Sequence, residues 1–203
     1  MLHISKGISK FGGLAIGIGM PPENTCRPDA PCVPECYGRR GRFVMQTVKT
    51  PLQENYELWK EDPMKFIQDA INECSAVRYV RWFQTGDIPD DAFVGAMQFV
   101  ALQCPKTQFL AFTKKYELIN EFLDNAKTFP KNLKIVLSSW GDWQPENPYN
   151  LPVAYIKFKD PNRDSHIPAK AKLCPGSCAD CIKNAGGGCW KMRKGQAVYF
   201  NQH

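Results

Sequence analysis

The chain has 203 residues, 43% of them apolar and 23% charged, with 26 Lys and Arg against 20 Asp and Glu for a net charge of +6. That composition excludes a disordered tail or a fibrous repeat and supports an ordinary buried core. No run approaches the roughly 18 apolar residues of a membrane span, and the modest positive excess falls short of a dedicated nucleic-acid binder.

A first short strand is expected at Leu14–Ile18, ended by Met20-Pro21-Pro22, and a loop rich in cysteine and proline follows. Residues 51–60 and 63–75 read as helices, with Pro51 and Pro63 at first-turn positions where proline is tolerated. From there strands and helices alternate. Val77–Phe83 is a strand closing on Thr85-Gly86-Asp87, and residues 90–103 form a helix with acidic residues in its first turn. Gln108–Phe112 is a strand closing on Thr113-Lys114, Tyr116–Lys127 a helix, and Leu133–Leu137 a strand closing on Ser138-Ser139. Pro152–Phe158 and Gln196–Phe200 complete the strands.

Strands and helices alternating at about 30 residues per repeat are the pattern of βαβ units and a parallel sheet. The expected fold class is therefore α/β. Too few repeats exist for a closed eight-fold barrel, so the expectation is an open, partial βα barrel of five or six strands, with a doubly wound sheet as the alternative. Its boundaries are 1–160 for the barrel, carrying a three-cysteine loop at 26–36, and 161–203 for a cysteine-rich C-terminal segment. In either arrangement the carboxyl ends of the strands form the functional face. Thr85, Asp87, Thr113, Lys114 and Ser138 are the expected cofactor-binding residues there, with Asp87 and Lys114 as catalytic candidates.

Seven of the nine cysteines fall in two windows. Cys74 and Cys104 stand alone and read as small buried hydrophobes. Cys26, Cys32 and Cys36 offer three thiolates on one loop, enough for three corners of a [4Fe–4S] cluster whose fourth iron stays open to a small-molecule ligand. A zinc ion there would need a fourth ligand, with His3, His166 or His203 as candidates. Cys174, Cys178, Cys181 and Cys189 form a closed set for a second [4Fe–4S] cluster or for tetrahedral zinc. The glycine run 186–188 lets the chain fold back to deliver Cys189. A pair of disulfide loops is the alternative, disfavoured in a reducing compartment. The N-terminus lacks the layout of a secretory signal, so the expected location is the cytoplasm, with no membrane association.

LAIGIGMPPENTCRPDAPCVPECYG, WFQTGDIPDD, FLAFTKK, the CPGSCADC…CW segment and the terminal VYFNQH resemble the phage "gene product 88" family. That likeness implies a viral origin, hence the host cytoplasm, and carries over the seven clustered cysteines. A looser likeness is to radical S-adenosylmethionine (SAM) enzymes, which place a three-cysteine loop after the first strand of a partial βα barrel. It implies SAM as the ligand of the open iron, with Thr85-Gly86-Asp87 near its amino group. The spacing of three and then two residues usual in that family occurs here at Cys174, Cys178 and Cys181 instead of in the first loop.

The expected function is an iron–sulfur cluster-binding phage protein, either a radical-SAM-like enzyme or a non-catalytic structural or electron-transfer protein. The competing class is a zinc-stapled nucleic-acid module that uses Arg39, Arg40 and Arg42 with Tyr37 and Trp190. His166, in NRDSHIP, reads as a surface residue.

Overall fold

The computed structural model describes residues 1–125, 127–184 and 186–202. The chain enters through β1 (Ile16–Ile18) and a single turn, α1 (Pro22–Thr25), and crosses the cysteine loop into α2 (Gln46–Glu61) and α3 (Pro63–Ser75). Then come β2 (Tyr79–Trp82), α4 (Asp91–Gln103), β3 (Gln108–Thr113), α5 (Tyr116–Asp124), β4 (Leu133–Ser138) and β5 (Val153–Lys157). The last elements are β6 (Lys172–Leu173), α6 (Cys178–Asn184) and β7 (Ala197–Asn201).

The strands form one parallel sheet in the order β1-β2-β3-β4-β5-β7-β6. From β1 to β5 the order follows the chain with no reversal, so the switch point of a doubly wound sheet is missing. Right-handed crossovers in one direction put every connecting helix on one face. The packing agrees: Trp59, Phe66, Phe93, Met97 and Ile119 of the helices share a core with Ile18, Val80, Trp82, Phe109 and Ile135. The sheet is open, since β1 pairs only with β2 and β6 only with β7 among the described strands. Ser5 covers the outer side of β1 through an antiparallel bridge to Gly17.

Because strand side chains alternate between faces, Tyr79, Leu110, Val136, Ala154 and Val198 point away from the helices. A parallel sheet needs cover on both faces, and the described residues of the C-terminal segment supply it together with Phe11. Trp190, 1% exposed, lies on this second face with Phe11 and Met192 and donates its indole N–H to the Val80 carbonyl at 3.0 Å. The C-terminal segment also enters the sheet itself, since β7 pairs with β5 from Val153↔Ala197 to Lys157↔Asn201.

Asp62 caps α3 by accepting from the Lys65 N–H at 2.9 Å. Asp90 caps α4 through the Phe93 N–H at 3.1 Å and also takes the Trp59 indole N–H at 2.9 Å, which ties α2 to α4. The first long helix departs from expectation. It starts at Gln46, so Pro51 sits in its interior rather than in its first turn. The bond lost is the one to the carbonyl of Thr47, an exposed residue that water can satisfy. α5 stops at Asp124, short of the expected Lys127, where the Asn125 side chain donates to the Glu121 carbonyl at 2.9 Å. β6, with two residues, is too short for any periodic pattern to reveal.

Trp190→Ala removes the largest side chain from the second face and leaves a cavity there. The expected cost is about 3–5 kcal/mol of stability, read as a lowered urea midpoint; an unchanged midpoint would show that the C-terminal segment is not needed to cover the sheet.

Candidate functional site

At the carboxyl end of the sheet the three leading strands are drawn together by one carboxylate. Asp87 is buried; its Oδ1 accepts from the Ile88 N–H at 2.8 Å and the Thr113 hydroxyl at 2.6 Å, and its Oδ2 from the Lys114 N–H at 2.9 Å. Its own N–H donates to Thr25 Oγ1 at 3.0 Å, and that hydroxyl donates to the Pro21 carbonyl at 2.8 Å. The ends of β1, β2 and β3 are thus joined through α1. Burial pushes the Asp87 carboxyl upward, against the pull of its three donors and of the Lys114 ammonium. The turn that presents Asp87 requires Gly86, with φ +77°, because a Cβ there would lie 2.4 Å from the Met20 carbonyl oxygen.

Cys26 follows Thr25 directly and is held over this hub. Its thiol is pushed up to about 12, first by burial, then by Asp87, Cys36 and Cys32, while Lys114 opposes the rise. Burial also raises Cys32, with Lys114 opposing and Cys36 adding. The rest of the loop is a chain of 3-10 turns pinned at several points. The Tyr37 hydroxyl donates to the Gln84 carbonyl at 2.6 Å, and a Cβ on Gly38 would strike Thr85 Oγ1 at 2.3 Å. Glu35, between Cys32 and Cys36, accepts from Arg163 at 2.6 Å and from the Gln202 side-chain amide. The loop that leaves β1 therefore reaches residues beyond β5 and β7.

Of the expected site residues, Cys26, Cys32, Cys36, Asp87, Thr113 and Lys114 come together here, and Thr85 lies beneath Gly38 with its buried hydroxyl unpartnered. Ser138 contributes its carbonyl, which accepts the Tyr116 hydroxyl. Tyr116 belongs to the site and was not expected. Its phenol is raised by burial and by the nearby Asp87 and Cys32, and its only sequence signal is its place as the first residue of the helix after β3.

The second cysteine group lies on the sheet face opposite the helices rather than on the rim. Cys174 donates its N–H to the Tyr199 carbonyl at 2.8 Å, and α6 begins at Cys178. Gly186, Gly187 and Gly188 all have positive φ, and a Cβ on Gly188 would lie 2.6 Å from that of Cys181, so the chain does fold back as the glycine run implied. Cys189 is pushed up to about 12 by burial and then by Cys174, Cys178 and Cys181, with Arg81 opposing. Arg81, a charged residue in the apolar strand β2, turns to this face; its Nε is buried without a partner and its guanidinium lies 4.9 Å from the Phe112 ring. Among the described residues, no three His, Cys, Asp or Glu side chains converge as ligands of a single metal ion.

The histidines are occupied elsewhere. His3 Nε2 meets Glu54 at 2.6 Å, His166 Nε2 meets Asp142 at 2.6 Å, and His203 lies outside the described residues. Of the five residues named for the alternative nucleic-acid surface, one is corrected and two are engaged within the loop. Trp190 is buried and cannot stack on a base, while Arg39 and Arg40 donate to the Pro22 and Pro34 carbonyls and so brace the cysteine loop itself. No described helix is long and apolar enough to cross a membrane.

A family model described as "Gene product 88" matches residues 4–163. That span holds the first cysteine loop and the strand-end residues and stops short of the four C-terminal cysteines. No curated protein and no solved structure matches the chain.

Asp87→Ala strands three donors in a buried site and should cost about 2–4 kcal/mol in denaturant unfolding, against about 1 kcal/mol for Thr113→Val, which removes one of them; equal costs would deny Asp87 its hub role. His166 is raised by its bond to Asp142. Its stabilising contribution is therefore full below the unfolded pKa and fades as pH rises through the higher folded one. An NMR titration should find it above the ordinary imidazole value, and Asp142→Asn should lower it part of the way back, with Asp164 still beside Nδ1 at 3.5 Å.

Proposed function

The chain belongs to the gene product 88 family, and we propose that it is an iron–sulfur protein whose Cys26, Cys32 and Cys36 hold three corners of a [4Fe–4S] cluster. The observation that carries the reading is the seating of three thiols from one loop above a buried carboxylate, beside Lys114, at the carboxyl ends of parallel strands. A single zinc ion bonds thiolates at about 2.3 Å and needs them in tight convergence. Three thiolates leave a structural zinc one ligand short, whereas a four-iron cube can be held at three corners with its fourth iron open. When bound, such a cluster supplies redox chemistry and one iron with an exchangeable position.

The chain's own residues then prepare a ligand site. The raised Cys26 thiol must give up its proton on loading, so loading is favoured as pH rises. Lys114 would neutralise a ligand carboxylate. Asp87 has three of its roughly four acceptor positions filled, which leaves one for a ligand amino group. A ligand bearing both groups, such as SAM, matches this pair, and the sequential open sheet reads as a partial βα barrel of the kind such enzymes use. The four C-terminal thiols read as a closed auxiliary cluster or structural zinc, with Arg81 and Lys10 as neighbouring counter-charges.

Anaerobically purified protein should contain iron and acid-labile sulfide in equal amounts. Cys32→Ser should lose one cluster's share of both while its circular dichroism stays unchanged. Electron paramagnetic resonance of the reduced wild-type protein should then change on adding SAM. Stoichiometric zinc without iron or sulfide would overturn the cluster assignment, and a spectrum indifferent to SAM would remove that ligand.

A further inference from the structure

At the end of the sheet opposite the first cysteine loop, two cavities share Lys191 in their walls. One, of about 390 Å³, also contains Arg78, Lys183 and Tyr79 at the start of β2. The other, of about 950 Å³, lies between the amino ends of β5 and β7, strand β6 and the C-terminal cysteine segment, and contains Lys170, Lys172 and Arg193. Among the described residues, neither wall holds an Asp or Glu. None of the six cations pairs with a described carboxylate. Lys191 is steadied by a neutral partner, Gln108 Oε1 at 3.0 Å, at the start of β3.

Tyr79 of β2 lines the first cavity and β5, β7 and β6 line the second, and β2 and β6 lie five inter-strand steps apart, or about 24 Å at about 4.8 Å each. Lys134, at the start of β4, is pushed down by burial and by the charge of Lys191, which sets a further lysine near the one that both cavities share. A run of cations this long, without acids, suits a linear polyanion better than a single phosphate group. Half-buried Tyr155 and half-exposed Leu173 give the larger cavity apolar surface for bases.

We propose that this trench binds a single strand of nucleic acid, with Arg78, Lys170, Lys172, Lys183, Lys191 and Arg193 meeting its phosphates. The site is separate from the loop of Cys26, Cys32 and Cys36 and stands whether or not that loop binds iron, while Cys174, Cys181 and Cys189 of the second group form part of its wall. Recessed cavities admit a flexible strand and exclude a rigid duplex. Each phosphate contact releases condensed counterions, so affinity must fall steeply with salt.

Fluorescence anisotropy of the full chain with labelled single-stranded DNA and RNA of about 12 nucleotides tests the proposal across a salt series. Binding at low salt is expected, with log affinity falling against log salt by about 0.7 per phosphate contacted. Lys170→Glu/Lys172→Glu/Arg193→Glu should weaken binding at least tenfold and flatten the slope. Lys172→Gln alone, on the exposed two-residue strand, should do the same more mildly without disturbing the fold. Arg42→Glu, on the far side, should change nothing. No binding at low salt, equal affinity for duplex, or loss with Arg42→Glu instead of the trench variants would each overturn the proposal.

Discussion

A carboxylate taken out of water must be met by donors, and the Asp87 side chain meets this demand with donors from two different strand ends. Ile88 and the backbone of Lys114 give N–H groups and Thr113 gives a hydroxyl, so the charge is shared among groups that would otherwise have no reason to lie together. Bonds to an ionised acceptor are shorter and stronger than neutral ones, and a buried charge without them is expensive. The position of Cys26 depends on this arrangement, because Thr25 is held by the backbone N–H of the same residue. Glu35 works at the other margin of the same loop, where its pairing with Arg163 and Gln202 spans much of the width of the sheet.

The winding of the sheet assigns different tasks to its two faces and two ends. Crossovers that always step the same way place α2 to α5 on one side and leave the other apolar and uncovered. The C-terminal segment fills that vacancy, so its cysteines are set into a wall of the fold rather than on a separate appendage. The carboxyl end gathers thiols, an acid and a lysine, while the cavities at the amino end gather cations in walls that hold no described Asp or Glu. The net charge of +6 does not register this asymmetry, since it sums over both ends.

The parallel sheet was legible because Ile16–Ile18, Phe109–Phe112 and Ile135–Leu137 are short apolar runs bounded by turn residues and separated by helical periods. The rim was legible for a related reason: Thr85-Gly86-Asp87 and Thr113-Lys114 are polar where a strand has just ended. What could not be read depends on distant contacts. Tyr116 looks like any aromatic residue opening a helix, and Arg81 like a surface charge within a strand. Glu35 gains its role from partners 128 and 167 positions away. Trp190 misled in the opposite sense, because an indole beside a cysteine motif reads as exposed until the face it covers is known. Pro51 did so as well, since proline marks a first turn only where the helix has no earlier start.

The placement of β7 between β5 and β6 has a consequence for the order in which the protein is made. Synthesis delivers β1 to β5 and all four large helices before residue 160, with Leu110, Val136 and Ala154 facing water. The residues that cover them, Trp190 and Met192, and the strand that completes the edge of β5 emerge tens of residues later. Contacts of such long sequence separation form slowly, and an apolar sheet face with an unpaired edge is prone to self-association while it waits. Through that interval the second face stays open to water, and it closes only once Trp190, Met192 and β7 have emerged.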